Sequence, residues 1–397
     1  MRIKGSRVGI VGGSIAGCAA AIALQRSGCE VTIFEQSQSN LRDRGFGITL
    51  PVPLRLELET AGYLDVTVPM RLTTERLWMV RDGETPLGRT AWRQPYAGAV
   101  HNWGILWQTL RRRLLDTVSW RSVSVNKVQE DADGVTVVAD RRGLHRFDLV
   151  VGADGHQSVV RPHIDPESRP SYAGYLLWRG SYSTDRLTDK PPRVMDHGAV
   201  VTVVFPGGHA MFSLIPDLRG RERINWGIYC TIPGLELGEP GPMPPGSIGS
   251  DLRKGLDRLL DAHFPPYWAE VVRSTPRHEL CIQPIYDATV SAYVSRRMLL
   301  IGDAGTITRP HTAAGATKAL HEALSLERIC SESGGWPDAL AAYDAQRCAS
   351  ASALVELGRS LGGAQVEHTP QWSSMSQLDF EDWMRATVAE HAVHYRV

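Results

Sequence analysis

The sequence carries no excess charge of either sign: 43 lysines and arginines stand against 43 aspartates and glutamates. That balance argues against a chain that holds nucleic acid or an anionic membrane surface, and a local cluster such as Arg111-Arg112-Arg113 reads as a solvated helix face. Cysteine is scarce, six in 397 residues, with no C-x-x-C pair and no companion histidines at ligand spacing. Neither a disulfide framework nor a metal site is expected, and the thiols read as reduced ones in a cytoplasmic protein. No apolar stretch suits a signal peptide or a membrane span, because the opening residues MRIKGSRVGIVGG enter a strand at once. Internal repeats and low-complexity tracts are missing as well. The remainder is the composition of an ordinary globular core, 43% hydrophobic, in a chain long enough for two or three domains.

The stretch RVGIVGGSIAGCAAAIALQRSGCEVTIFEQ, residues 7–36, reads as a strand, a glycine turn, an alanine-rich helix, a turn at Gly28 and a second strand ending at Glu35. This is the pattern of a dinucleotide-binding βαβ unit, in which glycines allow a tight turn, close approach of the backbone to a pyrophosphate, and close helix–strand packing. Gly12 and Gly17 fill the outer glycine places and Ser14 the middle one, so the fingerprint is G-x-S-x-x-G, with Ile15 and Ala16 inside the turn. A small side chain at the middle place is tolerated, and its hydroxyl has a donor to offer a phosphate. Glu35 stands where a carboxylate accepts from a ribose hydroxyl, and its charge repels a 2′-phosphate. This unit alone suits NAD or FAD.

Two further landmarks lie downstream. FDLVVGADGHQSVVR, residues 147–161, is a buried strand followed by an Ala-Asp-Gly turn at Asp154. Met298-Leu299-Leu300-Ile301 is a short buried strand, followed by GDAGTITRPHTAAGATKALHEA, which leads through a loop into a helix. The small residues from Thr312 to Ala316 admit a visitor close to the backbone, and the unpaired N–H groups of the helix start favour an anionic or electron-rich one.

The order G-x-S-x-x-G, A-D-G, G-D-A resembles the single-component FAD-dependent aromatic hydroxylases of the para-hydroxybenzoate hydroxylase fold, over nearly the whole chain. The segments YAGYLLWRG (172–180) and RPHTAAGATKA (309–319) are most similar to the 2,6-dihydroxypyridine hydroxylase branch. The resemblance implies an α/β architecture: a Rossmann-type FAD-binding domain from residues 1–171 and 286–363, an inserted antiparallel β-sheet substrate domain over 172–285, and C-terminal helices over 364–397. It implies non-covalent FAD, NADH or NADPH as a transient co-substrate, and transfer of oxygen from O2 to an aromatic or heteroaromatic ring through a flavin C4a-hydroperoxide. The cofactor residues it implies are Gly12, Ser14, Ile15, Ala16, Gly17, Glu35, Arg44, Asp154, Gly302, Asp303, Pro310, Gly315, Ala316 and Thr317. Arg44, between Gly45 and Gly47 on one side and an aspartate on the other, is also expected near the reacting ring or the incoming nicotinamide.

The chain departs from the family in places. Trp103 begins the run in which many relatives have an arginine beside the flavin phosphates, and Thr317 and Glu322 stand where asparagine and aspartate are common. A second G-x-G-x-x-G and a W-x-W-x-I-P signature are both missing, which argues against a two-dinucleotide monooxygenase and a flavin-dependent halogenase.

Within 172–290 the text turns to β character. AVVTVVFPGGHAMFSLIP (199–216) reads as a hairpin, INWGIYCTIP (224–233) as a third strand, and SDLRKGLDRLLDAHF (250–264) as a helix with a serine cap. Residues 319–363 and 376–394 read as helical, and these helices can cover the fold or a partner surface, with a homodimer as a candidate. Trp178, Phe212 and Trp226 are candidates for substrate contact, although sheet core suits each equally. His311 is a candidate to hydrogen-bond a substrate oxygen, or a structural loop histidine. Arg309 reads as a solvent or structural residue first and an anion ligand second, and Arg179 as a link between domains. A biosynthetic tailoring monooxygenase, epoxidising or hydroxylating an indole or polyketide-like ring, is the alternative within the class. A flavin-binding protein without oxygenase activity and a plain NAD-dependent dehydrogenase are the rivals outside it.

Overall fold

The structure is a computed structural model and describes residues 1–37, 41, 45–140, 143–231 and 241–391. The opening unit is β1 (Arg7–Val11), α1 (Ile15–Arg26) and β2 (Glu30–Phe34). Next come β3 (Gly47–Leu50), α2 (Val52–Thr60), β4 (Arg71–Val80), β5 (Arg89–Asn102), α3 (Trp103–Arg111) and β6 (Ser119–Arg121). A meander of β7 (Val125–Glu130), β8 (Val135–Ala139) and β9 (Gly143–Phe147) leads into β10 (Leu149–Gly152). The middle of the chain holds α4 (Arg161–Ile164), β11 (Ser171–Ser183), α5 (Arg193–Asp196), β12 (Ala199–Phe205), β13 (Gly208–Pro216), β14 (Glu222–Cys230), α6 (Ser250–His263), α7 (Pro266–Arg273) and β15 (Leu280–Asp287). It then returns through β16 (Met298–Leu300) to α8 (Ala314–Glu332), α9 (Trp336–Gly362), a π-helical turn at Gly363–Glu367, and α10 (Gln377–Val388).

A five-stranded parallel sheet, ordered β16-β10-β1-β2-β6, carries the opening unit at its centre. Its inner strands are apolar without alternation because both faces are covered, and every residue of β10 and β16 is buried. Helix α1 is buried from Gly17 to Leu24 against α8. Its alanines let the helices approach closely, and a helix apolar on all sides has to sit inside.

The larger sheet has eight strands, ordered β15-β11-β14-β13-β12-β4-β5-β3. Its β12–β13 pair is the expected hairpin, closing at Phe205 against Gly208. One junction differs from the antiparallel expectation: Ala199–Val203 runs parallel to Glu75–Met79. Strands β3, β4 and β5 thereby join the sheet from residues that precede 172. This pairing links segments far apart in sequence, so no local turn signal announces it.

Trp178, Phe212, Trp226 and Trp268 are all buried in a second core between this sheet and the α6–α7 pair, with Phe212 and Trp268 ring centroids 4.7 Å apart. A third cluster, Trp78, Trp92, Trp372 and Phe380, fixes α10 and the end of α9 on β4 and β5. The expected serine cap of α6 is absent: Gly249 holds the cap place, and Ser250 is the first helical residue. At α10, Ser376 and Asp379 form a reciprocal capping box; residues 392–394 of the expected helix lie outside the described residues.

Candidate active site

The strand ends of the parallel sheet and one face of the large sheet enclose a cavity of about 700 Å³. At its floor, Gly12 follows β1 with φ of +101°, and a Cβ there would lie 2.3 Å from the carbonyl oxygen of Ala153. A Cβ on Gly17 would lie 1.9 Å from the carbonyl of Gly12. These two glycines therefore let β1, α1 and the Asp154 turn close on one another, as the fingerprint requires. Ser14 caps α1 through its backbone only; its side chain makes no cap hydrogen bond and borders the cavity.

Glu35, at the end of β2, accepts from Gly13 N at 2.8 Å and Ser37 N at 2.7 Å. A carboxylate has about four lone-pair directions, so it still has capacity for a hydroxyl in the cavity it borders. The indole N–H of Trp107 on α3 donates to Gly13 O at 2.8 Å, which holds the turn from the other side.

The two aspartate turns meet across Arg161, a residue the sequence reading passed over. It is buried and donates to four carbonyl oxygens: Ala304 at 2.8 Å, Asp303 at 2.7 Å, His156 at 2.9 Å and Gly155 at 3.1 Å. One guanidinium thus fixes the Asp154 turn against the Asp303 turn. Asp154 Oδ2 accepts from Val159 N at 2.7 Å, while Oδ1 is buried with no partner among the described residues. Burial pushes this carboxyl up from its ordinary pKa. Asp303 is half-exposed, with Lys318 Nζ 3.8 Å away. Glu322 is buried behind it and accepts from Gly302 N at 2.6 Å.

The start of α8 forms another wall. Ala313 adopts a left-handed conformation, φ 52°, and Gly315 and Ala316 border the cavity just beyond it. A non-glycine residue held in that region is strained, and such strain gathers at functional sites. Here begins a 19-residue helix, whose first turn leaves N–H groups without intrahelical partners; Ala314 N donates to Thr312 Oγ1 at 3.2 Å.

The roof is the polar phase of the large sheet. Arg179 and Leu177 of β11, His209 and Met211 of β13, Asn225 and Tyr229 of β14, and Arg76 of β4 line it. Arg76 Nε donates to Thr202 Oγ1 at 2.7 Å. The Arg179 guanidinium lies 4.0 Å over the Phe46 ring and donates to Gln283 Oε1 at 3.2 Å. Neither arginine pairs with a carboxylate among the described residues. His311 sits against this face, its ring 5.2 Å from His209 and 4.6 Å from Tyr229. Tyr175 Oη lies 2.7 Å from His311 Nε2. Burial, then Arg309 and Arg76, lower the His311 pKa to about 3. Burial, then His311 and Arg76, hold His209 well below its ordinary value. Both rings are neutral at pH 7.

The structure brings most expected residues to one place. Gly12, Ser14, Ile15, Ala16, Glu35, Asp154, Gly302, Asp303, Pro310, His311, Gly315 and Ala316 all border the cavity. Gly17 packs behind the turn, and Thr317 points its hydroxyl at the carbonyls of Ala313, at 3.4 Å, and Thr49, at 3.5 Å. Trp178 and Phe212 are corrected: their side chains belong to the core on the other face of the sheet, with Trp268. Trp226 borders the cavity, but its ring is in that same core and its N–H donates to Thr275 at 2.9 Å. Strand alternation puts 178, 212 and 226 on the opposite face from 177, 179, 209, 211, 225 and 227. Arg309 is buried and bound to Asp287 at 2.8 Å and Glu367 at 2.6 Å, so it is structural rather than solvent-facing. Arg179 reaches the cavity. Arg44 lies outside the described residues. Arg76, His209, Tyr175 and Gln365 were missed, the first two because polar residues at alternate positions of a buried strand were not read as a cavity-facing phase.

Residues 10–40 match the model of the NAD(P)-binding Rossmann-like domain. The chain is 28% identical to the 2,6-dihydroxypyridine 3-monooxygenase of Paenarthrobacter nicotinovorans, across 81% of this chain and 82% of that protein. It is 27% identical to the FAD-dependent urate hydroxylase of Klebsiella pneumoniae, across 91% of this chain and 92% of that one. The chain is a homologue of FAD-dependent aromatic hydroxylases. In fold it follows the structure of 2,6-dihydroxypyridine-3-hydroxylase from Arthrobacter nicotinovorans, with a TM-score of 0.80 at 22% identity, covering 94% of this chain and 96% of that one. The cavity suits the cofactor of these relatives: a glycine turn without room for side chains, Asp154 with its unpartnered oxygen, Ser14, whose hydroxyl makes no cap hydrogen bond, and the start of α8 all border it.

Proposed function

We propose that the protein is an FAD-dependent monooxygenase that uses NADH or NADPH and O2 to oxygenate a small aromatic or heteroaromatic ring. The observation that carries this reading is the continuity of the cavity, which joins all three glycine–aspartate landmarks to a roof of neutral imidazoles and arginines. When bound, FAD supplies hydride acceptance from the nicotinamide and the reaction with O2.

The chain's own residues bind, orient and exclude water. Glu35 takes a ribose hydroxyl, Ser14 and the N–H groups after Gly12 take the pyrophosphate, and Asp303 takes a hydroxyl of the ribityl chain. The start of α8 favours negative charge on the pyrimidine edge of the flavin ring. The sheet face covers the ring and holds the substrate against it, and His311 meets a substrate oxygen. Residues 1–171 with 286–363 form the cofactor part and 172–285 the substrate part, with β3, β4 and β5 contributing to the latter's sheet. Residues 364–391 form a helical tail, through which we also propose a homodimer contact. Six free cysteines, five of them buried, support a reducing compartment such as the cytoplasm. Among the described residues no helix is long and apolar enough to cross a membrane.

The test is a visible spectrum of the purified protein after incubation with FAD, followed by anaerobic NADH or NADPH with a panel of hydroxypyridines, phenols and indoles. A bound flavin that bleaches faster with one compound is the expected result. A protein that takes up no flavin would return the plain dehydrogenase to consideration.

A further inference from the structure

Lys318 puts an ammonium where the fold opposes one. It stands one turn into α8, a buried residue whose Nζ has no hydrogen-bond partner among the described residues. Burying a cation is costly unless an opposite charge meets it, and a cation near the start of a helix also works against the dipole.

Two carboxylates meet it: Asp303 Oδ1 lies 3.8 Å from Nζ and Glu322 Oε1 lies 4.0 Å from it. Their surroundings differ. Glu322 is buried, and its other oxygen accepts from Gly302 N at 2.6 Å, so it fixes the Gly302–Asp303 turn from the protein side. That turn has no slack, because Gly302 has φ of +65° and a Cβ there would come 2.8 Å from Ala16 Cβ on α1. The Asp303 side chain is 49% exposed and belongs to the cavity wall, and Lys318 is its only ion-pair partner among the described residues.

The ammonium thus lies between a carboxylate that shapes the turn and one that faces the cavity. Arg161 does not replace it, since its guanidinium donates to the main-chain carbonyl of Asp303 rather than to the carboxylate. Without Lys318, two carboxylates on either flank of one turn would oppose each other, and like charges at close quarters disfavour the ionised form. Burial already pushes the Glu322 carboxyl up from its ordinary value; Lys318 is the strongest influence in the other direction, and Asp303 adds to the rise.

Resting on the FAD-binding reading, we propose that Lys318 is a positioning residue for the cofactor: its ammonium holds the charged Asp303 carboxylate in place at the cavity wall and offsets the charge of Glu322 behind the turn. Lys318 itself touches no ligand. Through it a hydroxyl of FAD meets a charged acceptor, and hydrogen bonds to charged acceptors are the stronger kind.

The apoprotein is titrated with FAD, reading flavin fluorescence quenching, as wild type, Lys318→Met, Asp303→Asn and the double variant. Wild-type uptake of FAD tests the FAD-binding reading by itself. Lys318→Met should raise Kd roughly tenfold. In the Asp303→Asn background, where no charged acceptor remains, the same change should move Kd by less than about threefold. A Kd for Lys318→Met within about twofold of the wild type, or a roughly tenfold loss that persists in Asp303→Asn, would overturn the assignment. If Lys318→Met does not fold, thermal unfolding of Asp303→Asn, Glu322→Gln and their double variant puts the question to the native lysine. Glutamine keeps a carbonyl for Gly302 N; each single change leaves Lys318 one carboxylate, and the pair leaves it none. The double variant should therefore lose more stability than the two single changes together, and additive losses would overturn the shared pairing.

Discussion

Replacing Glu35 with glutamine isolates the role of one carboxylate. Both oxygens of Glu35 are engaged, one by Gly13 N at 2.8 Å and the other by Ser37 N at 2.7 Å. Glutamine has a single carbonyl oxygen, so its amide would point a donor at one of those N–H groups. Leaving one donor unsatisfied in a nearly buried place costs about 1–3 kcal/mol. That cost falls on the glycine turn whether or not FAD is present. A second loss appears only with FAD, because the ribose hydroxyl would lose a charged acceptor, and hydrogen bonds to charged groups contribute roughly 1.5–3 kcal/mol. At about 1.4 kcal/mol per factor of ten, the FAD dissociation constant should rise roughly 10- to 100-fold. Flavin fluorescence quenching on the apoprotein measures that constant, and thermal unfolding of the same apoprotein reads the first cost alone. An unchanged dissociation constant in Glu35→Gln, with the expected drop in apoprotein stability, would show that Glu35 only shapes the turn.

Three other outcomes follow from the geometry. Arg161→Met should destabilise the apoprotein by roughly 3 kcal/mol, since it removes four hydrogen bonds between the two aspartate turns; denaturant unfolding reads this, and a loss below about 0.5 kcal/mol would remove Arg161 as the link. His209 and His311 have pKa values depressed by burial, as does His101, lowered to about 3. The unfolded chain therefore binds protons that the native protein refuses. Stability should be full above pH 6.5 and fall as the pH drops toward 3, by up to about 1.4 kcal/mol per pH unit for each histidine; His311→Phe should flatten the slope, and a stability independent of pH in that window would contradict the buried neutral rings. Trp178→Phe should leave the substrate KM within about twofold, since the ring packs on the face away from the cavity and its indole nitrogen has no partner among the described residues; a large rise in KM would restore it as a substrate contact.

What was legible in the sequence is what depends on neighbours in the chain. The glycine turn, the two aspartate turns and the small residues opening α8 each span a few residues whose type is fixed by local backbone demands, and all four border the cavity. The hairpin of β12 and β13 was equally readable, because its turn closes within two residues. The roof was not. Arg76 reaches His209 and His311 only because β4 pairs in parallel with β12, a long-range choice without a turn to mark it. Alternation in β11, β13 and β14 showed that each strand has two faces, and size alone drew attention to the aromatic one. The polar phase, Arg179, His209 and Asn225, was the better signal, since a polar row in an otherwise buried sheet needs a cavity to face. Arg161 stood in plain view after Asp154, but its four carbonyl partners come from two turns that meet only in the folded chain.

Oxygen incorporation tests the central claim most directly. The FAD-loaded protein is supplied with NADH or NADPH, 18O2 and whichever ring compound most accelerates flavin bleaching, and the product is weighed by mass spectrometry. One atom of 18O per product molecule, with reduced nicotinamide consumed in equal amount, is the outcome the account predicts. Flavin reduction and nicotinamide consumption that yield only hydrogen peroxide with every compound of the panel would contradict it.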